Sequence, residues 1–253
     1  MPRSLALLLA VLASPAAATA APPLRLAAPA AFEHGARADR KIALTFDACT
    51  TRSPSPFDPR IPAELDAMHV PATIFVGGGW AREEAPALEV LASDPLFEIG
   101  NHTFTHPHLT REPESRIREE LLRTQTEIAA LTGRAPTLFR PPFGEYDARV
   151  LRIAAALGLT TVEYDLPSGD PGPHVSPQAL AAWVLREARP GSIVVMHLNH
   201  PAFPTAEALP AIITGLRARG FDLVTVSELL RDTQRPGQLT AVRAAHRLHL
   251  RGA

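Results

Sequence analysis

The 253-residue chain has a single cysteine, Cys49, only two tryptophans and two tyrosines, and no excess of charge of either sign, its net charge being −1. One cysteine excludes an internal disulfide, so stability in an oxidising environment has to come from the core. Balanced charge leaves no broad positive field to attract nucleic acid or an anionic membrane. Past the N-terminus there is no apolar run long enough to span a bilayer, no internal repeat and no long low-complexity tract. Nothing in the pattern specifies an oligomeric state.

Residues 1–20 combine a basic residue, Arg3, an apolar stretch from Leu5 to Ala13 and the small residues Ala18, Thr19 and Ala20. That is the layout of a secretory signal peptide cut near Ala20, which implies a secreted or periplasmic protein. Residues 21–40, rich in Ala and Pro at the start, read as an extended segment, 41–232 as one domain, and 233–253 as a basic C-terminal tail. A hydrophobic content of 46% is ample for one domain with a full core.

Strand-like apolar runs recur at 41–47, 72–76, 96–100, 137–140, 160–164, 192–197 and 222–226. Helical patterns lie between most of them, at 61–68, 85–92, 114–131, 148–157, 177–188 and 206–217. Alternation of this kind calls for an α/β fold with about seven parallel strands, closed or nearly closed into a barrel. Over 114–131 the apolar positions Ile117, Leu121, Leu122, Ile128 and Leu131 define a packed face, leaving Arg116, Arg118, Glu119 and Glu120 to solvent.

Polar clusters follow the apolar runs: TFDACT at 45–50, GNHTFTH at 100–106, FRPPFGEYD at 139–147 and IVVMHLNH at 193–200. A β/α scaffold gathers catalytic groups at the ends of its strands in this way. His102 and His106 have a spacing that lets two imidazoles close on one divalent ion such as zinc. Asp47 is positioned as a general base, and Arg140 is a cation able to hold it ionised. The rigid turn at Pro141, Pro142, Phe143 and Gly144 offers a backbone N–H to an oxyanion. His200 reads as a turn histidine, and Trp80 and Phe104 as packing residues.

In that order the motifs resemble those of the polysaccharide deacetylase family, with its NodB-homology domain, also called carbohydrate esterase family 4. The resemblance covers residues 41 to about 230 and implies a distorted, NodB-like (β/α)-barrel. It implies Asp47 as base, Arg140 as its orienting partner, His102 and His106 as metal ligands, and His197 as general acid. It also implies Asp170 as the partner of His197, a role for which Asp165 competes. One departure is chemical: the family's second aspartate, a metal ligand, is here Ala48, whose methyl group binds nothing. Two histidines with waters, or recruitment of Asp47, then remain to hold the ion. Cys49 follows, but neighbouring strand residues point to opposite faces, so it reads as a buried inert thiol.

The function implied is an exported, metal-dependent hydrolase removing N-acetyl groups from an acetylated polysaccharide or oligosaccharide, a cell-envelope N-acetylhexosamine above all. A catalytically silent glycan-binding protein and an O-acetyl esterase are the alternatives on the same scaffold.

Overall fold

The computed structural model describes residues 29–50 and 56–233. The leader at 1–20, the first part of the 21–40 segment and the tail beyond Thr233 lie outside the described residues. β1 (Lys41–Ala48), β2 (Ala72–Val76), β3 (Phe97–Asn101), β4 (Leu138–Phe139), β5 (Thr160–Thr161), β6 (Leu166–Pro167) and β7 (Ile193–His197) form one parallel sheet in the order β5-β4-β3-β2-β1-β7-β6, and β8 (Asp222–Leu223) pairs with the start of β1. The sheet curls into a partial barrel. All seven anticipated strands are present, and β6 adds a two-residue eighth. The run at 222–226 divides: Val226 already begins a helix, α8.

β1 explains the layering. Ile42, Leu44, Phe46 and Ala48 point into the apolar cluster beneath the helices, whereas Ala43 joins a second cluster with Phe75, Leu138, Val162 and Ile193. Strand alternation sends every second residue to each face, and because both faces are covered the strand is apolar nearly throughout. The polar exceptions, all on the other face from Phe46, are Lys41 at the start of the strand, Thr45 and Asp47.

The outer layer is built from α1 (Arg60–Ala67), α2 (Gly78–Glu83), α3 (Ala85–Ser93), α4 (Glu114–Thr132), α5 (Ala148–Ala156), α6 (Pro177–Glu187), α7 (Thr205–Ala218) and α8 (Val226–Thr233). α4 ends where Gly133 turns left-handed at φ 75°, and α5 starts where Asp147 caps the Arg149 and Val150 N–H groups. β5 and β6 flank the seam of the curl. Phe32 crosses beside β5, donating to Thr161 O and accepting from Glu163 N, and Gly35 N donates to Gly191 O ahead of β7. A Cβ on Gly191 would come within 2.6 Å of Gly35 O, so that crossing requires glycine.

Candidate active site

Five strand ends bring their polar residues to one cleft of about 360 Å³, lined by Asp47, Cys49, His102, His106, Phe143, Gly144, Asp170, His197 and His200 among others. Asp47 sits at the end of β1 and is buried. Arg140, immediately after β4 and 0% exposed, donates from Nη1 to Asp47 Oδ1 and to Thr45 Oγ1, both at 2.8 Å. Its guanidinium lies over the Phe75 ring, 4.1 Å from the centroid. Burial alone would raise the Asp47 pKa, but the charge and hydrogen bond of Arg140, with the charge of His197, outweigh it and hold the carboxyl below its ordinary value.

His102 leaves β3 with Nδ1 2.8 Å from Arg140 O. A carbonyl can only accept, so the ring proton is on Nδ1 and Nε2 keeps its lone pair, 3.7 Å from Asp47 Oδ2. Burial, then His102, push the His106 pKa down to about 3, and burial lowers that of His102 as well, so both rings are neutral and able to ligate. The loop between them is tightly held. Asn101 accepts from Thr103 N and donates to Leu121 O on α4, and Thr103 and His106 adopt left-handed backbone at φ 63° and 57°.

Glu120 completes this hold and corrects the expectation of a solvent-facing residue. It is 0% exposed, and its carboxylate accepts from Phe104 N, Thr105 N and Thr105 Oγ1, each at 2.7 Å, with Arg116 at 2.6 Å. The helical period itself carries the signal: 117, 120, 121, 124 and 128 share one buried face of α4. Cys49 is buried, as expected, and its Sγ lies with nitrogens of His102 and His106 in a trio whose ligand atoms are within 4.8 Å of one another. Ala48 packs into the apolar cluster instead. Burial, then the Asp47 charge, push the Cys49 thiol up to about 12.

Across the cleft, His197 ends β7. Its Nδ1 is 2.9 Å from Asp170 Oδ1, and its backbone N–H donates to Asp170 Oδ2 at 2.7 Å. Ser168 Oγ and Thr205 Oγ1 donate to the same carboxylate, so Asp170, 1% exposed, is satisfied on both oxygens. Burial opposes a charged His197, but the hydrogen bond and charge of Asp170 prevail and raise its pKa above the ordinary value. Asp165 is engaged elsewhere, by Arg37, Ser192 Oγ and Ile193 N at the base of β7. His200 lines the cleft, its ring centroid 6.4 Å from that of His197.

At the rim, Pro142–Gly144 forms a 3-10 turn in which Phe143 (φ 63°) and Gly144 (φ 67°) are both left-handed. Such backbone costs a non-glycine residue roughly 1–2 kcal/mol and recurs at functional sites. The Phe143 ring is 52% exposed and stacks on His108 at 4.1 Å between centroids. Trp80 and Phe104 are buried packing residues. The arrangement therefore sets an ionised carboxylate, a protonatable imidazole and two neutral imidazoles around one cleft, which suits acid–base hydrolysis beside a borderline divalent ion.

Residues 34–162 match the family model described as polysaccharide deacetylase. Among curated proteins the chain is 35% identical over 170 residues to the uncharacterized protein YlxY of Bacillus subtilis, covering 67% of this chain and 52% of YlxY. It is 30% identical over 197 residues to the peptidoglycan-N-acetylglucosamine deacetylase PgdA of Listeria monocytogenes, covering 77% of this chain and 40% of PgdA. The chain thus spans about half the length of the first relative and less of the second. Among solved structures it resembles BA3943, a CE4 family pseudoenzyme from Bacillus anthracis, with a TM-score of 0.74 at 30% identity, covering 81% of this chain and 70% of that one. A mutant of BA3943 with restored enzymatic activity is similar in fold to the same degree, at a TM-score of 0.73. Motifs, curled sheet and sequence agree, and the chain belongs to the polysaccharide deacetylase family.

Proposed function

We propose that this chain is an exported, metal-dependent deacetylase that hydrolyses the acetyl amide of an N-acetylhexosamine in a cell-envelope glycan. The observation that carries this reading is the pairing of Asp47, whose ionised form Arg140 favours, with His197, whose protonated form Asp170 favours, across one cleft. Asp47 takes the proton of the attacking water. His197 gives its proton to the leaving amine; the starting protonation states fix the two roles, since only the ionised group can accept a proton and only the protonated one can donate. The turn at Phe143 and Gly144 presents backbone to the developing oxyanion and an exposed ring to the sugar. When bound by His102 and His106, a divalent ion, zinc in this reading, supplies Lewis-acid polarisation of the acyl oxygen. Export rests on the leader sequence at 1–20, and the peptidoglycan substrate named for PgdA is consistent with it.

Acetate release from a panel of N-acetylated and O-acetylated glycans, with metal analysis of the same preparation, tests the reading and separates amide from ester cleavage. Acetate from N-acetylated glycan that disappears in His197→Ala supports it; turnover unchanged in that variant overturns it. A second reading, a silent glycan-binding protein, is favoured by Ala48 and by the likeness to a pseudoenzyme. Saturable glycan binding with no acetate release at any metal loading would establish that alternative.

A further inference from the structure

We infer that Cys49 is the third protein ligand of the metal, its thiolate taking over from the carboxylate that Ala48 lacks, so that the site is His2Cys. The inference rests on the metal-dependent reading above and concerns residues of this chain alone. Position 48 cannot supply a ligand, because its methyl group belongs to the apolar cluster with Phe46, Val76 and Trp80. Position 49 continues the inner face of β1 after Thr45 and Asp47, and its sulfur lies within 4.8 Å of nitrogens of His102 and His106. Asp47 is outside that trio: Arg140 holds its Oδ1, and its Oδ2, 3.7 Å from His102 Nε2, is the oxygen left to take a proton from water.

The sulfur is held in place by its backbone. Asn199, 0% exposed, donates from Nδ2 to Cys49 O, and Gly77 N donates to Ala48 O at 2.7 Å. A Cβ on Gly77 would stand 3.3 Å from Cys49 Cα, so a larger residue there would push the Cys49 backbone by a few tenths of an ångström. Fixing the ligand before the ion arrives is what metal sites obtain from their supporting hydrogen bonds. On binding, the divalent ion gains an Sγ bond and the thiol proton leaves to buffer. Thiolate is a soft donor, so this site favours zinc and cobalt(II) over magnesium or manganese, whose affinity for sulfur is low.

Because the chain has one cysteine, a thiolate signal has one source. The test is cobalt(II) titration of the purified wild-type, Cys49→Ser, Cys49→Ala and His102→Ala proteins, followed by absorption spectroscopy, with circular dichroism to verify folding. The inference expects a near-ultraviolet thiolate-to-cobalt charge-transfer band in the wild type. Both Cys49 variants lose the band and bind cobalt about 10–100-fold more weakly or worse, the range that loss of a supporting partner alone produces. Cobalt binding without that band, at equal affinity in Cys49→Ser or Cys49→Ala but lost in His102→Ala, would overturn the Cys49 assignment and leave the two-histidine site standing. Wild type and His102→Ala alike failing to bind cobalt would overturn the metal reading and the inference together.

Discussion

Asp47 and His197 are Cα partners across the parallel strands β1 and β7. Partners in register on a shared face point the same way, so two short strands deliver a carboxylate and an imidazole to the same cleft. Their surroundings then drive them apart in protonation: Arg140 lowers the pKa of Asp47 and Asp170 raises that of His197. Each consequence can be measured.

Asp47→Asn is expected to reduce turnover by about 10²–10⁴-fold, the contribution of a positioned general base. It also has a structural cost that the sequence does not reveal. Arg140 is 0% exposed, and neutralising its partner leaves a buried cation uncompensated, for a loss of roughly 3 kcal/mol. Denaturant unfolding together with acetate-release kinetics checks both effects; a variant as stable and as active as the wild type contradicts the assignment.

The activity is expected to fall on the alkaline side, because the proposed mechanism needs His197 protonated and its pKa lies above the ordinary histidine value. The proton is kept to higher pH than on an ordinary histidine and is lost as pH rises through the raised folded-state value. The stability that the His197–Asp170 pair contributes follows the same course. Asp170→Asn removes the stabilising charge, so the alkaline limb of kcat/KM moves to lower pH. A limb that stays in place separates Asp170 from the ionisation being observed.

Glu120→Gln tests the hold on the histidine loop. Glutamine keeps one acceptor oxygen and loses the charge that faces Arg116, so about 1–3 kcal/mol of stability is expected to go. Metal affinity is expected to drop by roughly 10–100-fold although Glu120 touches no ligand atom. Isothermal calorimetry with zinc measures it, and unchanged affinity would show that the loop holds its shape without the carboxylate.

Gly144→Ala asks whether the left-handed turn matters. An alanine at φ 67° is strained by about 1 kcal/mol or more, and its Cβ would stand 3.1 Å from Tyr164 Oη and 3.3 Å from Glu163 Oε2. Turnover is expected to fall with little change in metal content, since the turn supplies no metal ligand. Loss of metal instead of turnover would place Gly144 in a different role.

Much of the fold and the site is legible in the sequence because strands and site residues share one signal: apolar runs that end in polar clusters. Asp47, His102, Arg140 and His197 all stand out in that way. The two-residue strand β6 escapes because Leu166–Pro167 is too short to show a period, and α2 because Gly78–Glu83 opens on glycines. Glu120 is misplaced when charge is weighed above helical phase. Cys49 is set aside by correct alternation applied to the wrong reference: it does point away from Ala48, but Ala48 is the residue that faces the apolar layer. The choice of Asp170 over Asp165 depends on tertiary structure, since both follow β5 and only the fold sends one to His197 and the other to the base of β7.

The most direct test of the central claim is acetate release from an N-acetylglucosamine oligomer by the purified protein, measured after chelation, after zinc is restored, and in His102→Ala under both conditions. Metal-dependent deacetylation at this cleft predicts acetate that vanishes on chelation, returns with zinc, and stays absent in His102→Ala. Equal release from chelated and zinc-loaded wild type, or full release from His102→Ala, would contradict it.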